Sequence, residues 1–377
     1  MRTISVDLGP QSYDLIVGQG LLDELGTRCA ELCRGTKAFI ICDSNTGPLY
    51  RARAEQSLTK AGFEAHSFEF LAGEPSKNAQ VWLACLELMA ELGMTRDDLV
   101  VALGGGVVGD VAGFVAASYM RGCALVQVPT SLLAMVDSSV GGKTAIDLHA
   151  GKNLVGAFWQ PKLVLADIEL LQSVERELLH DSCGEIVKHA ILADPALFCE
   201  LEGRPLIGET LDLAWLEEVV ALNMQIKRDV VEADEKELGL RQTLNLGHTI
   251  GHAIEAAYHF EQGHGSCVAL GMCWIARSCA AQGLCTYELA SRIEMVCEIQ
   301  GLPTRTDISA EEVIKRSYLD KKRHANHINV VVIRDIGQVE VVPMELDDYA
   351  QFVRRGEADT FSYDQFQHSG QAGTLSS

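Results

Sequence analysis

The sequence is short of positive charge. Its 31 lysines and arginines face 52 aspartates and glutamates, for a formal net charge of −21. Such an acidic chain argues against general nucleic-acid binding and against attraction to anionic membranes, both of which need a basic face. A small anionic ligand stays open, because a few local cations can hold one. The twelve cysteines form no Cys-x-x-Cys and no regular framework. In a chain of 377 residues, scattered cysteines in apolar surroundings imply reduced, buried thiols in a cytosolic enzyme. The first residues, MRTISVDLG, hold no apolar signal-peptide core, so a cytoplasmic location is expected. The longest apolar stretch, residues 99–120, is interrupted by Asp110 and by glycines and opens like a strand, which excludes a membrane span. There is no internal repeat.

What is present is ordinary globular material, 47% hydrophobic and 22% charged. The length predicts two domains. Residues 1–20 alternate as a strand pair, and KAFIICDSN reads as a buried parallel strand ending at Asp43. Further strands (FEAHSFEFLAG, DDLVVALGGG, CALVQVP, KLVLADIELL) alternate with helices to about Leu170. That alternation predicts a parallel sheet with helices on its faces. Beyond residue 170 the pattern turns helical, with one short strand, INVVVIRD. The expected organisation is an α/β Rossmann-like domain over 1–170, an all-helical domain over 171–355 and a disordered tail over 356–377.

Gly104, Gly106 and Gly109 fit G-x-G-x-x-G where a strand runs into a helix. Glycines there let backbone N–H groups approach a pyrophosphate at a helix N-terminus. A glycine turn of this kind also occurs without a ligand, and no acidic residue follows at the usual distance. Asp43, at an earlier strand tip, is the better ribose partner, against a bland role as a turn former. Residues 128–153 set Asp137, Lys143, Lys152 and Asn153 among small apolar residues, as loops closing around an oxyanion. GGKT is no Walker motif, because the upstream glycine is missing. Glu185 and Lys188 lie three apart on an apolar helix.

The stretch LRQTLNLGHTIGHAIEAAYHF reads as a buried helix, yet Arg241, Asn245, His248 and His252 recur on one face. Unpaired burial of these groups would be costly, so a polar ligand is implied. His248 and His252 lack the glutamate of a His-Glu-x-x-His protease. Spacing alone selects them as a ligand pair, with Glu185 and His264 as further donors to a catalytic Zn²⁺.

The ordered set GGGVVGDVAGFVAASYMRG, VPTSLLAMVDSSVGGKTAID, GKNLVGAFWQP, GEIVK, GLRQTLNLGHTIGHAIE, HGS and LDKK resembles the 3-dehydroquinate synthases, over about residues 37–345. The resemblance implies an NAD⁺-binding domain, a helical metal-carrying domain and a site in the cleft between them. It makes Glu185, His248 and His264 the ligands of Zn²⁺ or Co²⁺, overruling the spacing choice, with His252 touching substrate or a ligand. It places Asp43, Asn45, Glu74, Lys77, Gly105, Gly106, Asp110, Thr130, Ser131, Lys143, Lys152 and Ser173 beside NAD⁺. Lys143, Asn153, Asn245 and Lys321 would surround the substrate phosphate, with Arg121 arriving from a partner subunit of a homodimer. Lys188, Lys227 and Arg241 would hold the carboxylate and hydroxyls, with Asp137 and Glu237 beside them. The chain departs from the family pattern at Ser173-Val174-Glu175, where Thr-Leu-Pro is common.

The implied reaction is a step of the shikimate pathway, on 3-deoxy-D-arabino-heptulosonate 7-phosphate. A hydroxyl is oxidised transiently by NAD⁺, phosphate is eliminated, the hydride returns, and an aldol step closes the ring. Three rivals stand beside it: another sugar phosphate cyclase, a metal-dependent alcohol or glycerol dehydrogenase, and a non-catalytic nucleotide-binding protein. Three cations, Lys227, Arg241 and Lys321, favour an acidic substrate over a neutral sugar phosphate.

Overall fold

The computed structural model describes residues 1–321 and 327–357, without the side chains of residues 320 and 321. It divides into two compact units. The first comprises Met1–Leu179 and Gly208–Glu237, the second His180–Ile207 and the chain from Leu238 on.

The first unit opens with β1 (Arg2–Val6) and β2 (Tyr13–Gly18), paired antiparallel. It continues through α1 (Leu25–Ala30), β3 (Lys37–Asp43), α2 (Gly47–Lys60), β4 (Glu64–Phe70), α3 (Ala79–Glu91), β5 (Leu99–Gly104), α4 (Gly106–Ser118) and β6 (Ala124–Pro129). A hairpin of β7 (Lys143–Leu148) and β8 (Gly151–Phe158) precedes β9 (Leu163–Asp167). The seven-stranded sheet has the order β1-β2-β9-β6-β5-β3-β4, parallel from β2 to β4. Every residue of β5 and β9 is buried, and all but the first of β3. That is why these strands read as continuous apolar runs: both faces of the sheet are covered. Parallel pairing also aligns the strand ends. Gly104 faces Pro129, and Asp43 closes β3 on the same edge of the sheet. In α/β sheets ligands bind at this carboxyl edge.

Two expectations change here. Residues 128–153 do not form simple loops. They contain a π-helical turn, Ala134–Ser138, and then the β7–β8 hairpin. Glycines and lysines hid the hairpin, although Thr144, Ala145 and Ile146 are buried. The unit boundary also differs from a single break after 170. Helix α5 (Arg176–Ala193) and α6 (Pro195–Gly203) are followed by α7 (Leu213–Ala233), which packs on β1 and β2 and so belongs to the first unit. Its apolar stripe, Leu216, Val219, Val220, Met224 and Val231, is buried, and the helix packs on the π-helical turn as well as on β1 and β2.

The second unit adds α8 (His248–Ala257), α9 (His264–Ala281), α10 (Tyr287–Ile299), α11 (Ala310–Lys321), β10 (His327–Asp335), β11 (Gln338–Glu345) and α12 (Leu346–Arg355). It is helical, as expected, except for the antiparallel β10–β11 hairpin, whose first strand is the expected INVVVIRD. β11 is half exposed along its length and carries too weak an apolar pattern to stand out. α9 is the centre of this unit, buried from Cys267 to Ala280. Trp274 Nε1 donates to Val353 O at 2.7 Å and Arg277 Nε to Gly356 O at 2.7 Å, which ties the end of α12 to α9. Ordered packing thus extends to Gly356 and Glu357. The rest of the expected tail lies outside the described residues.

The polar stripe does not run along one helix. Leu240–Asn245 is a 3₁₀ turn, and α8 starts only at His248. Gly247 breaks the two apart with φ +82, a left-handed conformation that suits glycine. A Cβ at Gly247 would lie 2.6 Å from Val268 O and 2.8 Å from Met272 Cγ. Gly247→Ala is therefore expected to cost on the order of 1–3 kcal/mol. Thermal unfolding checks this, and an unchanged Tm would contradict it.

Candidate active site

In the first unit the glycine turn lies between β5 and α4. A Cβ at Gly105 would meet Ser131 Oγ at 3.4 Å, and one at Gly106 would meet Ser138 Oγ at 3.2 Å. The turn is therefore walled by hydroxyls at the start of a 13-residue helix, a cradle suited to a phosphate group. Thr130 is buried beside it, and its N–H donates to Gly104 O at 3.0 Å. Asp43 Oδ1 accepts from Asn45 N, Thr46 N and Thr46 Oγ1 at 2.9–3.0 Å, so this oxygen is committed to the turn after β3. Asn45 is exposed at that turn. Ser173 Oγ is engaged with the Tyr50 hydroxyl and with Leu170 O.

A polar cluster joins α3's approach, α4 and the hairpin. Lys77 Nζ is 2.6 Å from Asp110 Oδ2 and also donates to Asn153 Oδ1. Glu74 lies 4.0 Å from Lys77 and 3.8 Å from Lys152. Burial raises the Asp110 carboxyl, in spite of Lys77. Burial opposes the charge on Lys77, but Asp110 outweighs it and raises the ammonium. Asn153 sits at φ +58 with its N–H on Asp147 Oδ1 at 2.7 Å.

A second cluster is built on the π-helical turn. Asp137 Oδ1 accepts from Lys227 Nζ of α7 at 2.6 Å, and Lys143 pairs with Glu237. Asp110, Asp137, Lys143, Asn153 and Lys227 line one pocket of about 600 Å³ with Ser138, Thr144 and Phe158. Five residues expected at the site from distant parts of the sequence thus meet around a single cavity. Arg121, at φ +68, is exposed after α4.

In the second unit Glu185 and Lys188 are an ion pair with almost no exposure, not a solvated surface pair. Glu185 Oε1 makes no hydrogen bond, although it is buried. His248 Nε2 and His264 Nε2 both lie 3.5 Å from it. Among the described residues, one ligand atom from each of Glu185, His248 and His264 falls within 4.8 Å of the others. Burial would raise the Glu185 carboxyl, but Lys188 and the two imidazoles hold it well below its usual range. Burial and then Lys188 push His248 down to about 3, so that ring is neutral and can donate a lone pair. Burial opposes a proton on His264, yet Glu185 and Glu255 push it up to about 10. A cation at His264 must therefore displace a proton.

His252 is exposed, with its ring 5.2 Å from His248 and 5.9 Å from His264. Helical spacing pairs His248 with His252, whereas the three donor atoms that meet around Glu185 come from α5, α8 and α9. Arg241 is fully buried and Asn245 half-buried on the 3₁₀ turn. The side chain of Lys321 lies outside the described residues. Two residues have no role in the sequence reading. Asp181, one turn before Glu185, accepts from Gly265 N at 3.1 Å and Ser266 N at 2.8 Å, pinning the start of α9. Glu255 Oε2 lies 3.6 Å from His264 Nδ1. Its spacing of seven from His248, two turns on one face, is the signal that could have found it.

An orphaned buried carboxylate oxygen facing two imidazole nitrogens fits a divalent cation, and the hydroxyl-walled glycine turn fits a nucleotide phosphate. This pairing defines a class of nucleotide- and metal-using α/β enzymes, and the fold agrees. A solved 2-deoxy-scyllo-inosose synthase, complexed with carbaglucose-6-phosphate, NAD⁺ and Co²⁺, superposes with TM-score 0.85 at 24% identity, over 94% of this chain and 100% of its own. A 2-epi-5-epi-valiolone synthase from Streptomyces hygroscopicus, with NAD⁺ and Zn²⁺ bound, gives TM-score 0.82 at 24% identity over 94% and 99%. The sequence is more specific. The 3-dehydroquinate synthase N-terminal model matches residues 67–181 and the C-terminal model residues 182–323. The 3-dehydroquinate synthase of Clostridium acetobutylicum is 38% identical over 94% of this chain and 99% of its own. The chain belongs to the 3-dehydroquinate synthase family and is an enzyme of that type.

Proposed function

We propose that the chain converts 3-deoxy-D-arabino-heptulosonate 7-phosphate to 3-dehydroquinate and phosphate, with NAD⁺ and one divalent cation, Zn²⁺ or Co²⁺. Within this family, the observation that carries the reading is the meeting of Glu185 Oε1 with the Nε2 atoms of His248 and His264. The two solved cyclases hold NAD⁺ with Co²⁺ or Zn²⁺, and the donor set here suits either ion. When bound, NAD⁺ would accept and return a hydride, and the cation would acidify the hydroxyl being oxidised.

The protein's own residues bind and orient. Gly105, Gly106, Thr130 and Ser131 would receive the nucleotide phosphates, with Asp43 and Asn45 toward the ribose. Glu74, Lys77, Asp110, Lys152 and Ser173 would complete that side. Lys143 is half exposed and salt-bridged to Glu237. It can exchange that carboxylate for the substrate phosphate, with Asn153, Asn245 and Lys321 as further donors. Lys227, held by Asp137, would face the substrate with Lys188, Arg241 and His252. Asp137 and Glu237 are engaged in ion pairs, which suits positioning cations better than abstracting a proton. We further propose a cytoplasmic homodimer in which Arg121 reaches the neighbouring subunit's phosphate site. No described helix is long and apolar enough to cross a membrane.

The test is substrate choice. With NAD⁺ and Co²⁺ supplied, the heptulosonate phosphate is expected to be turned over at least ~10²-fold better than glucose 6-phosphate, since cations placed for a carboxylate lose charge-assisted contacts worth about 1.5–3 kcal/mol each. Equal turnover would favour a cyclase of neutral sugar phosphates.

A further inference from the structure

The His264 ring has a carboxylate on each side. Nε2 is 3.5 Å from Glu185 Oε1 and Nδ1 is 3.6 Å from Glu255 Oε2. Both separations are ion-pair distances, slightly longer than hydrogen bonds. Glu255 is 9% exposed and lies on the same helix as His248, two turns on. The backbone of His264 is held independently. Asp181 caps the first N–H groups of α9, and Cβ atoms at Gly263 and Gly265 would come within 2.1 and 1.8 Å of Asp181 atoms. With the backbone pinned, the remaining freedom of His264 is the rotation of its ring and the choice of nitrogen that carries the proton. A buried carboxylate beside Nδ1 can decide both: once a cation has displaced the Nε2 proton, Nδ1 keeps its hydrogen toward Glu255, and the Nε2 lone pair is left on the Glu185 side.

We infer that Glu255 is a positioning residue for the cation: it accepts Nδ1–H of His264, fixes that tautomer and ring orientation, and is not itself a ligand. The inference rests on the ligand set proposed above. A second grouping exists among the described residues: His252, Glu255 and His264 place one ligand atom each within 4.8 Å of one another. The alternative is disfavoured because His252 is exposed, whereas Glu185 is a fully buried acceptor with an unbonded oxygen. Orienting carboxylates of this kind typically change metal affinity by 10–100-fold.

The experiment uses the full chain, stripped by chelator and titrated with Co²⁺, read by the visible absorption of the ion and by competition with a chelating dye. Glu255→Gln is expected to weaken the Co²⁺ Kd by about 10–100-fold and to retain the band intensity of the wild-type site, because the ligand count is unchanged. Glu255→Asp, which keeps the charge but falls short by one methylene, is expected to lie between. His264→Ala separates the two ideas. If it binds Co²⁺ as tightly as wild type, the ligand set is wrong. If it loses binding while Glu255→Gln keeps the wild-type Kd, the ligand set stands and the role of Glu255 fails. A change in Glu255→Gln to the spectrum of a lower coordination number would make Glu255 a ligand and also overturn the inference. Where the variant does not fold, imidazole ¹⁵N spectra of the Zn²⁺-loaded wild type decide. A proton on Nδ1 of His264 is expected, and one on Nε2 contradicts the proposal.

Discussion

His264→Ala is expected to lower turnover by on the order of 10³-fold or more and to abolish tight Co²⁺ binding, while the chain still folds. The first part follows from what a cation supplies to an oxidation step. Stabilising a developing alkoxide is worth several kcal/mol, and about 4 kcal/mol is a thousandfold in rate. The second part follows from position. His264 is the first residue of α9 and its side chain is 33% exposed, so truncation leaves no large cavity. The helix start stays pinned by Asp181, and although the ring's contacts with Glu185 and Glu255 are lost, a single substitution of this kind costs about 0.5–3 kcal/mol, which leaves the chain folded. Turnover and Tm measured on one chelator-treated, Co²⁺-reloaded preparation check both parts. Wild-type turnover in the variant would contradict the ligand set, and a collapsed Tm would contradict the claim that the loss is local.

Lys188→Met has the opposite signature, with a large stability effect that depends on the metal. Lys188 and Glu185 are both buried, with 2% and 0% side-chain exposure. Removing one partner of such a pair typically costs about 3–5 kcal/mol, because a buried charge is left behind. In the wild type, Glu185 sits well below its usual range, held there against burial by Lys188 first and the imidazoles next. The sign is that of a depressed carboxylate: its stabilisation is present above the unfolded pKa and is lost as pH falls. In the variant, burial acts against a weaker opposing field. The Tm of the metal-free protein at neutral pH is therefore expected to fall by on the order of 10 °C. A divalent cation replaces the missing positive charge. At a hundredfold excess over its Kd it would restore about 2.7 kcal/mol. Differential scanning with and without Zn²⁺ gives the answer. An unchanged metal-free Tm would show that the pair contributes little, and no rescue by Zn²⁺ would place the cation elsewhere.

Much of this was legible in the sequence, and the rest was hidden for identifiable reasons. The strands β3, β5 and β9 announced themselves because a doubly covered sheet needs unbroken apolar runs. The glycine turn before α4 was visible because no side chain fits so close a strand-to-helix connection: a Cβ at Gly104 would lie 2.5 Å from Val108. Helical spacing, by contrast, sees one helix at a time. It picked His248 and His252, whereas the geometry brings His248 together with Glu185, far earlier in the chain on α5, and with His264 across the next turn. The single-helix reading of the polar stripe failed at Gly247, whose left-handed backbone turns Arg241 and Asn245 onto a separate 3₁₀ segment. Helix α7 carries an amphipathic pattern that fits a helical bundle equally well; only its packing on the π-helical turn that carries Asp137, alongside β1 and β2, places Lys227 beside Asp137. Family resemblance supplied the proposed ligand set in advance, but not Asp181 or Glu255, which act through neighbours.

The most direct measurement follows phosphate and NADH in one cuvette. The metal-loaded protein, with NAD⁺ and 3-deoxy-D-arabino-heptulosonate 7-phosphate, should release one phosphate per substrate consumed, while absorbance at the NADH wavelength stays at or below the level of one equivalent per active site. Steady accumulation of NADH without phosphate would identify a dehydrogenase and contradict the account.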